Sequence, residues 1–546
     1  MSNPNQIFNT VSFKSPRRSL QNLSNTYKSV TDFGKIIPIG LYEIAPGDVM
    51  KKSTQVFMRA MPMIAPMMHE CDIYVHDFFV PWRLIWDDYE KFLIPQDDET
   101  AETIPVKPYI NPYGTNANTK NAIFAAFKEG GLCDYFGLPI FESVSSIPAS
   151  AVEDTRLCSL PLRAYQLVWN EYYRDQNLQD KFEFSKASGA EPIGSNLANF
   201  TGLTTLRYRA WEKDYFTSAL PRPQKGEPIG IDLSGVPGQR LNVELDKTAG
   251  QQKIAIENGF AGSGVLRSDG GNFNFNSQEA AWLDPNGSLF VSPSESSQGY
   301  FTIEMLREAM RLQEFMEQLM RGGSRYAEVV RNMFGQIPDD LRIGRPAYLG
   351  GGKQNLVISE VLQTSESTPD VSALGDMAGH GLSIGSSNGW KALFKEHGYV
   401  ISLMSVRPRS AYMQGVNKLW LKNDRYEEMW PLFAHLGEQP VMNGELYWSW
   451  TDGKNRETFG YQPIYTEYRT KPSIVTGAMR NSLDFWHLNR KFSARPSLNA
   501  DFITVKPSET SRVFAVEDAS TDHLIFEAAN QVKMVRCIPR DGNPTL

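Results

Sequence analysis

At 546 residues the chain exceeds the roughly 250–300 at which one hydrophobic core usually stops growing, so a single body with large insertions competes with two domains. Its 41% hydrophobic and 21% charged residues exclude a disordered chain, while 42 Gly and 33 Pro spread without a collagen period favour many turns between short strands. A net charge of −7 excludes a protein whose whole surface neutralises nucleic-acid phosphates and leaves only local basic clusters for that work. Cys71, Cys133, Cys158 and Cys537 are too scattered for a disulfide framework and read as buried thiols in a reducing compartment. The opening MSNPNQIFNT lacks the charged and apolar regions of a secretory signal, and no run approaches the roughly 18 apolar residues of a membrane span.

In chain order, Lys14, Arg17, Arg18 and Lys28 all precede the first acidic residue, Asp32, and make residues 1–30 a basic arm. Such an arm is either a frayed terminus or a local contact to nucleic acid. Residues 35–80 carry extended apolar segments broken by Pro38, Pro46, Gly47, Pro62 and Pro66. Their clearest strand is Cys71 to Val80, with Tyr74, His76, Phe78 and Val80 on one face and Ile73, Val75, Asp77 and Phe79 on the other. Helices are expected over Asn121–Glu129, ending at Gly130 and Gly131, and over Leu162–Asp175 after Pro161.

From Arg222 to Gly299 the composition shifts: 12 of the 42 glycines fall there, with no His or Cys, which marks an elaborated surface insertion. A helix over Thr302–Arg321 follows, where Met305, Ala309, Leu312, Met316 and Leu319 repeat at helical spacing, and the expectation is a face packed on the main body. Strands are expected at Leu356–Leu362, Tyr399–Val406, Arg512–Val516 and Leu524–Arg536, and a Ser/Gly-rich loop at Thr364–Gly389. Strands this far apart in sequence suit a Greek-key or jelly-roll sandwich.

Catalytic motifs are mostly absent. Gly381-Leu382-Ser383-Ile384-Gly385 matches a nucleophile elbow but lies in the expected loop, without the strand and helix that expose such a serine. Gly350-Gly351-Gly352-Lys353 has Ala347 and Gln354 where a phosphate loop needs Gly and Ser or Thr. On a strand His69 and Cys71 face one side and His76 the other, which opposes a shared metal. Acidic pairs such as Asp97 and Asp98 or Asp339 and Asp340 have no spacing that points to a glycosidase. The residues therefore announce no catalytic group, cofactor or metal.

Longer strings carry more information. They are Asp77-Phe78-Phe79-Val80-Pro81-Trp82-Arg83 with Trp86, Leu160-Pro161-Leu162-Arg163-Ala164-Tyr165, and Asn170-Glu171-Tyr172-Tyr173-Arg174-Asp175-Gln176-Asn177-Leu178. Further along stand Asp214-Tyr215-Phe216-Thr217-Ser218-Ala219-Leu220-Pro221, Arg321-Gly322-Gly323-Ser324-Arg325-Tyr326, Arg345-Pro346-Ala347-Tyr348-Leu349-Gly350-Gly351, Phe459-Gly460-Tyr461-Gln462 and Trp486-His487-Leu488. In this order the chain resembles the major capsid proteins of the Microviridae, in particular the gokushovirus branch, from about residue 30 to its end.

The resemblance implies a mainly β fold: an eight-stranded viral jelly roll, an antiparallel β-sandwich with long inserted loops and a few helices. It further implies a T=1 icosahedral shell of identical chains around circular single-stranded DNA, assembled in the bacterial host cytoplasm. Residues 31–221 and 300–546 would form the body. Residues 222–299 would form a protrusion near the threefold axes, containing Gly226, Gly230, Gly235, Gly238, Gly250, Gly262, Gly264, Gly270 and Gly271.

The expected partners are further copies of the chain, the viral DNA, minor proteins (internal DNA-binding, pilot and scaffolding), and a host-surface receptor. Candidates for DNA contact are Lys14, Arg17 and Arg18, then Lys533, Arg536 and Arg540. Aromatic and Arg residues in loops are the expected anchors between subunits. Two competitors are a β-sandwich protein that binds or hydrolyses glycans and a general single-strand DNA-binding protein, the latter needing a continuous basic groove.

Overall fold

The computed structural model describes residues 18–94, 104–193, 196–226, 303–362, 377–386, 389–516, 518 and 521–539, with six short strand segments between 241 and 291. Ten strands form one antiparallel sheet: β1 (Ser19–Asn22), β2 (Asn25–Thr31), β3 (Ile37–Ile44), β4 (Val49–Ala60), β5 (Cys71–Pro81), β6 (Ala347–Leu362), β7 (Met377–Ser386), β8 (Trp390–Leu393), β9 (Gly398–Pro408) and β10 (Leu524–Arg536). Eight of them run in the order β1-β10-β4-β7-β6-β5-β9-β3, with β8 also paired to β4 and β2 to β10. The fold is mainly β, a curled antiparallel jelly roll in which strands from the first 81 residues pair with strands beyond residue 347.

Side-chain alternation decides which way the sheet faces. In β4, Met50, Lys52, Thr54, Val56, Met58 and Ala60 are buried, whereas Lys51, Gln55 and Arg59 are exposed. The inward set of β10 meets it with Phe526, Ala528, Val532 and Met534. Val56, Met58, Ile73, Val75, Met404, Val406, Phe514 and Phe526 make the principal cluster inside the curl. Each such side chain contributes about 1.5–3 kcal/mol when fully buried.

β5 and β9 are covered on both faces. A helical layer of α1 (Ala117–Ala126), α2 (Leu160–Val168) and α3 (Leu197–Thr204) lies over their outer side, and Leu162, Tyr165, Val168 and Trp169 pack with Phe78, Val80, Tyr399, Ile401 and Leu403. Tyr165 Oη donates to Ile36 O at 2.8 Å and accepts from Arg207 N at 3.0 Å, so its buried hydroxyl is satisfied.

Several expectations need correction. Helix α1 starts at Ala117 because Asn116 and Thr119 form a reciprocal cap, and it ends at Ala126. The expected strand Leu356–Leu362 begins at Ala347: at Gly351 a Cβ would stand 2.3 Å from Val75 O, so glycine allows two backbones to approach there. Arg512–Val516 is not a strand, since a 3₁₀ turn over Ser511–Val513 drops Val513 and Phe514 into the core.

Part of the expected loop Thr364–Gly389 is strand β7, paired with β6 and β4. Its glycines hide the alternation and fit close packing; a Cβ on Gly381 would sit 2.8 Å from Ala60 Cβ. Of the four thiols only Cys71 and Cys133 are buried, and burial pushes the Cys133 thiol up to about 12. Cys158 is exposed and Cys537 half-buried.

The chain divides into two compact units, Met1–Pro223 with Leu319–Leu546, and Gln224–Gln318. The second contains an antiparallel four-stranded sheet of Lys253–Ala255, Val265–Asp269, Asn272–Phe275 and Gln278–Trp282, a pairing of Leu241–Asn242 with Phe290–Val291, and most of helix α4 (Ile303–Gly322). On α4, Met305 is 53% and Leu312 48% exposed, and Met320 is buried.

Candidate nucleic-acid interface

Of the two basic clusters read from the sequence, the described members Arg18, Lys533 and Arg536 lie at one end of the sheet, where β1 pairs with β10. Register pairs Ser19 with Arg536 and Asn22 with Lys533, and β2 continues along β10 from Asn25–Asn530 to Thr31–Leu524. The arm assigned to residues 1–30 thus contributes two strands from Ser19 onward. Arg18, just before β1, is exposed beside Gly47.

Lys533 is exposed. Arg536 is partly committed: its Nε lies 3.0 Å from Asp48 Oδ2, and its NH2 donates to Glu43 O. Lys14, Arg17 and Arg540 lie outside the described residues, as do Gly230, Gly235, Gly238, Gly250, Gly262, Gly264, Gly270 and Gly271. Gly226 is described, with φ +87, a conformation that suits glycine.

Two lysines that the sequence reading missed stand beside Lys533. Register places Lys51 opposite Lys533 across β4 and β10, and Lys391 opposite Lys51 across β8 and β4. The signal was present in the alternation of residues 49–60, which turns Lys51 outward and Lys52 inward. The pairing of β8 with β4 is tertiary and had no local trace.

Asp97 and Asp98 lie outside the described residues, and the serine, glycines, histidines and cysteine weighed for catalysis or metal are engaged elsewhere. Ser383 Oγ donates to Asn355 O at 2.7 Å and accepts from Gln354 Nε2 at 3.1 Å, so it is held within the sheet. Gly350, Gly351 and Gly352 run in β6, opposite Asp77, His76 and Val75. The ring of His69 bonds Arg409 O at 2.7 Å, His76 bonds Tyr173 Oη at 2.8 Å, and Cys71 sits in the core. Burial lowers both His69 and His76 to about 4, so both rings are neutral at pH 7.

His523 behaves differently. Fully buried and stacked 4.3 Å from Phe514, it has Nδ1 2.7 Å from Asp32 Oδ2 and Nε2 2.9 Å from Val516 O. With an acceptor at each nitrogen, only the imidazolium satisfies both. Burial alone would lower its pKa, but the hydrogen bond and charge of Asp32 outweigh that and raise it above 6.5. A raised folded-state value stabilises fully below the unfolded pKa, and the contribution is lost as pH rises through the folded value. Urea midpoints measured from about pH 6 to about pH 9 should therefore fall more steeply for the native chain than for His523→Gln. Equal slopes would refute the charged-pair assignment.

The whole chain also has relatives. A family model described as "Capsid protein (F protein)" matches residues 10–546. The chain belongs to that capsid protein family. It is 34% identical to the "Capsid protein VP1" of Chlamydia phage 1, over 94% of this chain and 93% of the relative. The corresponding protein of Bdellovibrio phage phiMH2K is also 34% identical, covering 92% and 90%, and that of Spiroplasma virus 4 is 30% identical, covering 90% and 88%. The chain is a major capsid protein of the gokushovirus type, as the ordered strings implied, and the glycan-active alternative has no support among these relatives.

Proposed function

We propose that copies of this chain close a T=1 icosahedral shell around circular single-stranded DNA, and that the insertion 222–299 projects from it near the threefold axes. The observation that carries the reading is the capsid-family match over almost the whole chain. Charge fits the arrangement: Arg222 to Gly299 holds 6 basic and 9 acidic residues, suiting an outward position away from the genome.

Identical subunits related by different rotations need several distinct contact patches. Exposed loop residues such as Trp420, Leu432 and Trp450, at 77%, 85% and 89%, fit that need. The role is structural, and no residue is assigned to catalysis. Internal DNA-binding, pilot and scaffolding proteins are the expected partners in the particle, with assembly in the host cytoplasm and a receptor contact for the projection.

Expression with the neighbouring viral proteins followed by cryo-electron microscopy tests this directly. Uniform particles with threefold projections are expected, and deleting 226–297 should remove the projections and leave the shell. Monomers under all conditions would overturn the shell, and projections that survive the deletion would overturn the assignment of the insertion. Adsorption of deleted particles to host cells should fall if the projection meets the receptor.

A further inference from the structure

We propose that the solvent-exposed sheet face formed by β1, β10, β4 and β8, on the side away from the hydrophobic core, is a binding site for the sugar-phosphate backbone of single-stranded DNA, with Lys391, Lys51 and Lys533 as its phosphate-contacting row. The inference rests on the reading that the shell encloses DNA, and it names where the polymer lies.

Consecutive register pairs align Lys391 with Lys51, Lys51 with Lys533, and Lys533 with Asn22. Residues directly opposite in antiparallel strands project from the same face with Cβ atoms about 4.5–5.5 Å apart, and like charges so placed oppose the pairing. All three lysines are exposed, and among the described residues none of the three is paired with a carboxylate. The fold therefore holds three ammonium groups abreast at a cost that an anion would remove.

Charge on the rest of the face has the same sign. Strands β1, β2, β4, β8 and β10 contain a single acidic residue, Glu527, whose carboxylate lies 3.7 Å from Lys28 Nζ. Arg59 is exposed as well, its guanidinium 5.2 Å from the Phe57 ring. The two remaining cations of these strands are engaged elsewhere, Lys52 with buried Asp77 and Arg536 with Asp48. In a chain of net charge −7, this local excess separates the face from the average surface.

One row away, the same face becomes apolar. Leu20 pairs with Val535, Val535 with Val49, and Val49 with Leu393. Leu20 is 60% and Leu393 55% exposed. A linear cationic row beside a linear apolar ridge matches a polymer that is anionic along one edge and carries apolar base faces along the other. Inorganic phosphate would use only the lysines. The contact would be independent of sequence, because ammonium groups meet phosphates and aliphatic side chains meet base faces, neither of which differs usefully between bases.

The test uses the full chain and a fluorescent oligothymidylate, with binding followed by anisotropy across a salt series. Changing Lys51, Lys391 and Lys533 together to Ser should reduce the slope of log affinity against log salt by about 2, from ~0.7 per phosphate contact on a single strand. A fourfold rise in salt would then weaken the variant about 18-fold less than the native chain. The thermal midpoint of the triple variant should stay level or rise, since repulsion is removed, which also reports that it has folded.

Changing Leu20 and Leu393 to Ser should weaken binding at unchanged slope. An unchanged slope in the folded lysine variant would overturn the proposal, as would inorganic polyphosphate competing as well as the oligonucleotide. Particle formation separates this inference from the shell reading. Absence of particles from the native chain removes the shell, whereas lysine-variant particles with undiminished DNA content remove only the binding row.

Discussion

Replacing Lys52 with Ala should destabilise the subunit by about 3–5 kcal/mol, whereas the same change at the adjacent Lys51 should cost nothing measurable. The difference lies in the strand alternation. Lys52 is fully buried inside the curl, where its Nζ donates to Asp77 Oδ1 and to Thr54 Oγ1, both at 2.7 Å. Asp77 also accepts from Trp390 Nε1 at 2.8 Å, and Thr54 Oγ1 donates to Asn530 Oδ1 at 2.9 Å.

Burial pushes the Lys52 ammonium down and Asp77 pulls against it, so each charge depends on the other. Removing the lysine strands a carboxylate in the core. The double change Lys52→Met with Asp77→Leu should recover most of the loss, short of about 1–3 kcal/mol for the Trp390 N–H left without its acceptor. Urea midpoints of the four proteins test this. A Lys52→Ala midpoint equal to that of Lys51→Ala would mean that the pair carries no stability.

The same alternation explains how far the sequence could be read. Cys71 to Val80 showed apolar residues at both parities and is a strand covered on both faces, ending at Pro81 as its hydropathy and the proline suggest. Leu524–Arg536 was equally plain. Strand β7 was not, because Gly379, Gly381 and Gly385 remove side chains from the alternation and resemble a turn-rich loop. Phe514 and Val513 looked like strand residues because they are buried, yet burial there comes from a one-turn helix whose Arg512 donates to His487 O and Asn489 O.

The candidate interface was half legible for a related reason. Lys533 and Arg18 stood out as charges near the ends of the chain, whereas Lys51 and Lys391 gain meaning only from strand pairings that bring residues 19–22, 49–60, 390–393 and 524–536 side by side. No local pattern encodes such pairings. The helix Ile303–Gly322 was legible as a helix from its spacing, but its apolar repeat could not say whether the face is covered within the chain.

The helical cover should depend on Arg163 as strongly as the sheet does on Lys52, with Arg163→Met losing about 3–5 kcal/mol. Arg163 is 2% exposed, and its donors reach three acceptors on two segments: Nε to Glu191 Oε1 at 2.8 Å, NH1 to Ile85 O at 3.1 Å and NH2 to Ala187 O at 3.0 Å. Ser159 Oγ donates to the same Glu191 oxygen at 2.7 Å. A planar guanidinium reaches these acceptors together, whereas an ammonium is a single point with a shorter reach. Arg163→Lys should therefore still lose about 1–3 kcal/mol through the carbonyls it leaves unmet.

The consequence should also be local. Hydrogen exchange should rise first at residues 185–193 and along Leu160–Val168, while β4 and β10 keep their protection, because Lys52 and Asp77 remain in place beneath them. Uniform loss of protection across the sheet would show instead that the helical layer and the jelly roll unfold as one unit, and that Arg163 stabilises the whole wall of the shell.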